Sequence, residues 1–313
     1  MSKRKKVETD VSSLAPKRKS IRIARQESLV GATKEDMEAL NATFKSASNE
    51  NEVIPDVRAT NFPDAYVLPN LKRRILRKEH LSVGKISGIT NGHVKTFINK
   101  LHRVVANADL TIGTDESKTN SLVAHLLNRV IDFDNWPFAI RHEECYRLPV
   151  SNKNVSAKPE FVVDMEGITM IVVGDKHLNN VSPPHFGEAQ MLAEILACGY
   201  ENVRLSRAIT DQTILAVRII FSYVTFYKAE IPVAYWKELQ RGLPRKQSIT
   251  ILRWPGENDP KTGLDLAKPV GRRSVLTALI KIQEINPYIL DIKVMQICGQ
   301  IPEELRHIAN QIK

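Results

Sequence analysis

The chain has 313 residues, with 45 Lys or Arg against 35 Asp or Glu and a net charge of +10. At 42% hydrophobic residues this length fills one large domain or two ordinary ones, which excludes a chain disordered throughout. No run approaches the roughly 18 apolar residues a bilayer needs, and the N-terminal charges have no apolar stretch behind them, so neither a membrane span nor export is expected.

The charge is uneven. Ten Lys or Arg lie between Met1 and Lys34 against three acids. A stretch this basic and this poor in large apolar groups is expected to be a disordered tail with an acidic partner. Within it, Lys3-Arg4-Lys5-Lys6 and Lys17-Arg18-Lys19 flank ten residues, Val7 to Pro16. That is the spacing of a bipartite nuclear import signal, in which two cationic clusters fill two acidic grooves of an import receptor. The plainer alternative is a solvated basic arm that touches phosphates; both tolerate nucleic acid nearby. After a short helix within Lys34 to Lys45, Ser/Asn-rich sequence with Pro55, Pro63 and Pro69 reads as linker, so residues 1–65 are expected to be tail and linker.

Residues 66–114 form an expected N-terminal helical region. Val94, Phe97, Ile98, Leu101, Val104 and Val105 keep helical spacing, with Lys95, Lys100 and Arg103 largely elsewhere on the cylinder. Lys72-Arg73-Arg74 and Arg77-Lys78 suit either a phosphate backbone or a solvated cationic face. Leu122, Val123, Leu126, Leu127, Val130 and Ile131 predict a second helix, ending before Asn135-Trp136-Pro137. Cys145 to Val150 reads as a strand. Next come FVVDM and ITMIVV, separated by Glu166-Gly167, which predict a hairpin. Phe186 to Cys198 predicts a helix that packs Met191, Leu192, Ile195 and Leu196 on the sheet, with Gln190 and Glu194 sharing a face. Thr213 to Tyr227 and Ala229 to Trp236 read as interior strands. Arg272-Arg273 opens a helix carrying Val275, Leu276, Leu279 and Ile280, where the arginines either contact an anion or pair with acids in Glu257 to Asp265. Residues 288–313 have weak helical periodicity. The three cysteines, Cys145, Cys198 and Cys298, suit a reducing compartment, and the His142 and Cys145 spacing of half a zinc site has no second pair to answer it.

The chemistry-bearing pattern is the hairpin. Glu160 stands at the mouth of its first strand and Lys176 at the end of its second, so pairing of the strands brings an acid and an ammonium together. Acids with one lysine suit metal-assisted phosphodiester cleavage, where carboxylates hold Mg²⁺ and the lysine serves the attacking water.

Pro159-Glu160, the hairpin ending in Gly174-Asp175-Lys176, and the helix carrying Gly187-Glu188-Ala189-Gln190 together resemble the PD-(D/E)XK nuclease-like superfamily. More narrowly, they are similar to its fungal and Crinkler-type version, whose pattern reads Pro-Asp, then Glu-Asp-Lys, then Glu-x-Gln. The resemblance implies an α/β fold with a mixed central sheet flanked by helices, a restriction-endonuclease-like core, over residues 115–287. It implies that Glu160 takes the motif aspartate, Lys176 the motif lysine, and Glu188 and Gln190 the helix positions of the catalytic site. Gly174 departs from the pattern, standing where the family has its second metal-binding acid. Asp164, of the same strand parity as Glu160, and Asp175, if a bulge re-aims it, are the alternative Mg²⁺ ligands. Two readings follow: a nuclear nucleic-acid-associated protein, with DNA the expected partner, whose nuclease-like site is impaired and serves as a nucleic-acid-binding or protein-interaction module, or an active Mg²⁺-dependent endonuclease using Glu160, a relocated acid and Lys176.

Overall fold

A computed structural model describes residues 34–108, 116–150, 153–166, 168–175, 187–207, 209–259 and 262–285, with the side chains at 116, 153, 168 and 170–175 left aside. The import-signal residues Lys3, Arg4, Lys5, Lys6, Lys17, Arg18 and Lys19, the segment 288–313, and Lys176 lie outside the described residues.

The fold is mixed α/β, an eight-stranded mixed sheet flanked by helices on both faces. In space the strands run β1 (Ala42–Ser46), β9 (Ile249–Trp254), β8 (Tyr223–Ile231), β7 (Gln212–Ile220), β6 (Ile168–Asp175), β5 (Phe161–Met165) and β2 (Phe138–His142), with β10 (Leu264–Asp265) on β8. Two pairings are parallel, β1 with β9 and β6 with β7; the others are antiparallel. The chain enters the centre through α4 (Glu116–His125) and a π-helical turn (Leu126–Ile131), runs up and down through β2, β5 and β6, crosses over in α5 (Glu188–Ser206), and returns parallel in β7.

Strand alternation divides the core in two. Val163, Leu215, Val217, Ile219 and Phe226 face α3 (Gly92–Ala108), α4 and α7 (Pro269–Gln283). Val162, Ile214, Ala216, Tyr227 and Ala229 face α5, α6 (Val233–Arg241), α1 (Lys34–Ala39) and the separate hairpin of β3 (Tyr146–Val150) and β4 (Lys153–Ala157). The predicted periodicity of α3 is borne out: its six apolar positions are all buried. The FVVDM and ITMIVV hairpin is also observed, with a register shift between Val163 and Asp164.

Several elements differ from the sequence reading. Residues 35–65 are not linker throughout: the expected short helix is α1, and beyond it β1 adds an edge strand in register Ala42 to Ile249, while Tyr235 Oη donates to the Leu40 carbonyl at 2.7 Å. Cys145 to Val150 is not in the central sheet. Pro149, without an N–H, sits in β3, which pairs only with β4, and the third strand of the meander is β2. The run from Thr213 to Tyr227 is two strands, reversed at Phe221 with its φ of 56°. The next strand ends at Ile231, because Pro232 fixes φ at −73° and opens α6, which buries Tyr235, Trp236 and Leu239 at helical spacing.

The basic clusters also differ from expectation. Arg73 forms a two-pronged pair with Asp265 at 2.9 and 3.0 Å and lies 5.1 Å over the Tyr223 ring, so it is part of the structure rather than a solvated cation. Burial works against the Asp265 charge, yet Arg73, Ser222 and the Ala267 N–H hold its carboxyl below the ordinary value. Arg272 is 0% exposed and its guanidinium donates to the carbonyls of Val67, Leu68, Leu71 and Leu266 at 2.5 to 3.0 Å. Neither a phosphate nor a hydrogen-bonded acid is its partner. Burial lowers its pKa to about 10, which leaves it charged at neutral pH. Arg273 pairs with Asp64 at 3.2 Å and lies 5.0 Å over the Phe62 ring.

Replacing Arg272 with Met keeps the volume but strands four buried carbonyls. Urea unfolding of Arg272→Met is expected to lose about 3 kcal/mol with an unchanged denaturant slope.

Candidate functional site

The candidate site lies where β5 begins and β6 ends. Phe161 pairs with Val173, so Glu160, one residue earlier, stands level with Gly174. Glu160 is half-buried at a bend, its carbonyl accepting the Glu143 N–H at 3.1 Å. On its other side Gly174 pairs with Arg218 of β7, and Asp175 with Ile219. Paired residues of adjacent strands share a face, so across this level the sheet reads Glu160, Gly174, Arg218.

The N-terminus of α5 comes down beside this level and brings Glu188, which is 4% exposed. The carboxylate accepts from Arg253 Nη1 on β9. Arg253 is itself 4% exposed and shares its guanidinium with the Gly256 carbonyl at 3.0 Å, Ser46 Oγ at 3.0 Å and Glu257 at 3.1 Å. Arg218, 1% exposed, donates to Asn258 Oδ1 at 2.8 Å and lies 5.5 Å over the Tyr227 ring. Burial pushes the Glu188 pKa up; Arg253 and Arg218 oppose this without reversing it. Two guanidiniums and a helix N-terminus therefore surround one buried carboxylate.

Of the site residues read from sequence, the structure brings together Glu188 and the Glu160 to Gly174 level. Gln190 turns along α5, donating to Glu194 Oε1 at 2.8 Å. Asp164 lies four residues along β5 from Glu160, about 13 Å at roughly 3.3 Å per residue. It is 3% exposed and accepts from Arg141 Nε at 2.5 Å; Arg141 also donates to Glu144 at 3.1 Å. Asp164 shares the α5 face, as parity predicts, but at the far end of the hairpin. The Asp175 side chain and all of Lys176 lie outside the described residues, so the expected meeting of Glu160 with Lys176 does too.

A divalent ion such as Mg²⁺ takes carboxylate and carbonyl oxygens that converge on one point. Among the described side chains, Glu188 and Asp164 each accept from an arginine and Gly174 offers no oxygen from a side chain.

Arg218 and Arg253 were missed in the sequence, although each interrupts an apolar run, LAVRII and ITILRW. An arginine inside a strand buried on both faces must bring its own partners, and that interruption is the signal that marks them. No family model and no curated protein matches this sequence.

Two outcomes test the cluster. Arg253→Met leaves Glu188 buried without its main partner and is expected to cost about 3 to 5 kcal/mol in urea unfolding, with part recovered in the double variant carrying Glu188→Gln. The folded pKa of Glu188 lies above its ordinary 4.5, so its contribution is complete below that value and is lost as pH rises through the folded pKa. The stability of Glu188→Gln relative to wild type should therefore rise as pH climbs above 4.5.

Proposed function

We propose that this chain is a nuclear, nucleic-acid-associated protein whose core is a PD-(D/E)XK nuclease-like domain with an impaired catalytic centre. The observation that carries the reading is the level Glu160, Gly174, Arg218. Where cleavage chemistry needs a second acid next to the first, a glycine follows, and beyond the glycine a cation. The order of elements supports the core: a helix, a three-stranded antiparallel meander, a crossover helix and a parallel fourth strand. Glu188 and Gln190 fall at the start of that crossover helix, where the motif has its Glu-x-Gln.

In this reading the site's own residues hold the fold rather than perform a reaction. Glu188 clamps α5 to β9 through Arg253, and Arg218 supports the sheet beside Gly174. Association with DNA comes from cationic groups, chiefly the N-terminal tail, whose two clusters also suit an import receptor in the nucleus.

With Mg²⁺ or Mn²⁺, the purified wild-type protein is expected to leave duplex and single-stranded DNA intact, and Gly174→Glu to gain metal-dependent cleavage. Cleavage by wild type that Lys176→Ala abolishes would instead establish an active Mg²⁺-dependent endonuclease. Removing residues 1–34 is expected to reduce nuclear accumulation, weaken DNA binding, and flatten the dependence of log affinity on log salt by roughly 0.9 for each phosphate that is no longer neutralised. Unchanged location and affinity would dismiss the role given to the tail.

A further inference from the structure

A second site lies apart from the hairpin, between α3 and α4. Lys95, Asn99, Lys100 and Arg103 occupy successive turns of one side of α3 and face Lys118 and Ser121 of α4 across a hollow of about 570 Å³. The 3-10 turn Val83–Lys85 closes a third side with Val83 and Gly84. Four cations line this hollow, and among the described residues no carboxylate does. Two of them donate to neutral oxygens: Lys100 Nζ to the Ser121 carbonyl at 2.8 Å and Lys118 Nζ to Asn107 Oδ1 at 3.4 Å. Burial, and then the neighbouring Arg103, lower the Lys100 pKa.

Like charges gathered in a concavity repel. An anion with several charges close together removes the repulsion. We propose that the α3–α4 hollow binds a small polyphosphate, a molecule with adjacent phosphate groups that Lys95, Lys100, Arg103 and Lys118 contact together. Asn99 and the hydroxyl of Ser121 complete the polar lining. The volume falls in the range of small-molecule sites, about 300 to 1,000 Å³. Lys118 faces the α3 cations from a second helix, so the charges lie on two sides of one recess rather than along one helix alone. The proposal is independent of the nuclease-like reading, since it uses neither Glu160, Gly174 nor α5.

Calorimetric titration of the full chain with sodium tripolyphosphate tests it. Saturable binding at one site is expected, with orthophosphate weaker. Lys100→Gln and Arg103→Gln should each weaken tripolyphosphate about tenfold or more, while Lys237→Gln on the exposed side of α6 leaves it unchanged. Circular dichroism should show both hollow variants folded at the titration temperature, Lys100→Gln giving up only its bond to the Ser121 carbonyl, so a drop in affinity will not reflect a failure to fold. Absence of saturable binding overturns the proposal, as does equal weakening by Lys237→Gln. If a single-stranded oligonucleotide binds through Lys100 and Arg103 and tripolyphosphate fails to displace it, the recess is a nucleic-acid contact and the small-molecule proposal is wrong.

Discussion

The structure is governed by one constraint: the central strands are covered on both faces, so a polar group on them has no water to turn to. β7 shows it directly, with seven consecutive buried residues from Ile214 to Ile220. Every residue there is apolar except Arg218, which is stacked on Tyr227 and bonded to Asn258. The same requirement makes Arg253 divide its guanidinium among four acceptors and draws Glu188 into the interior. Burial of a charge is expensive unless it finds partners inside the protein. The cluster is as much a product of the sheet's double coverage as the apolar core is.

That origin bears on function. The arginines at the hairpin mouth are engaged with protein atoms. On the outer side of α3 and on α4, elsewhere in the fold, four cations gather around one hollow. Chemistry suggested by the motif and affinity suggested by the electrostatics thus occupy different parts of the molecule, with the sheet and one core layer between them.

Much of the fold was legible because it rests on periodicity. The apolar positions of α3 and α5 and the β-branched runs of the β5–β6 hairpin are local patterns that burial requires. What escaped reading depends on partners distant in sequence. β2, FAIRH, has too mixed a pattern to announce a sheet strand, and its place is secured by β5 and by Arg141 meeting Asp164. YRLPV looks more like a sheet strand, yet packs as a separate hairpin against α5. Pro232 was available as a helix-start signal and was overridden by the apolar run around it. At the site, the strand register that sets Glu160 beside Gly174 was readable; the arginines beyond were not, because nothing nearby in sequence pairs with them. Arg272 was illegible for a stronger reason, since its acceptors are backbone carbonyls and no residue identity encodes them.

The Arg272 latch also limits how the molecule can be divided. Three of its four acceptors belong to Val67, Leu68 and Leu71, well upstream of the motif-bearing region, while the arginine sits near the close of the described chain. A piece cut to begin around residue 115 would retain the whole hairpin and α5 but carry a guanidinium in its interior with most of its acceptors gone. Excising the motif is therefore not the same as excising a folding unit.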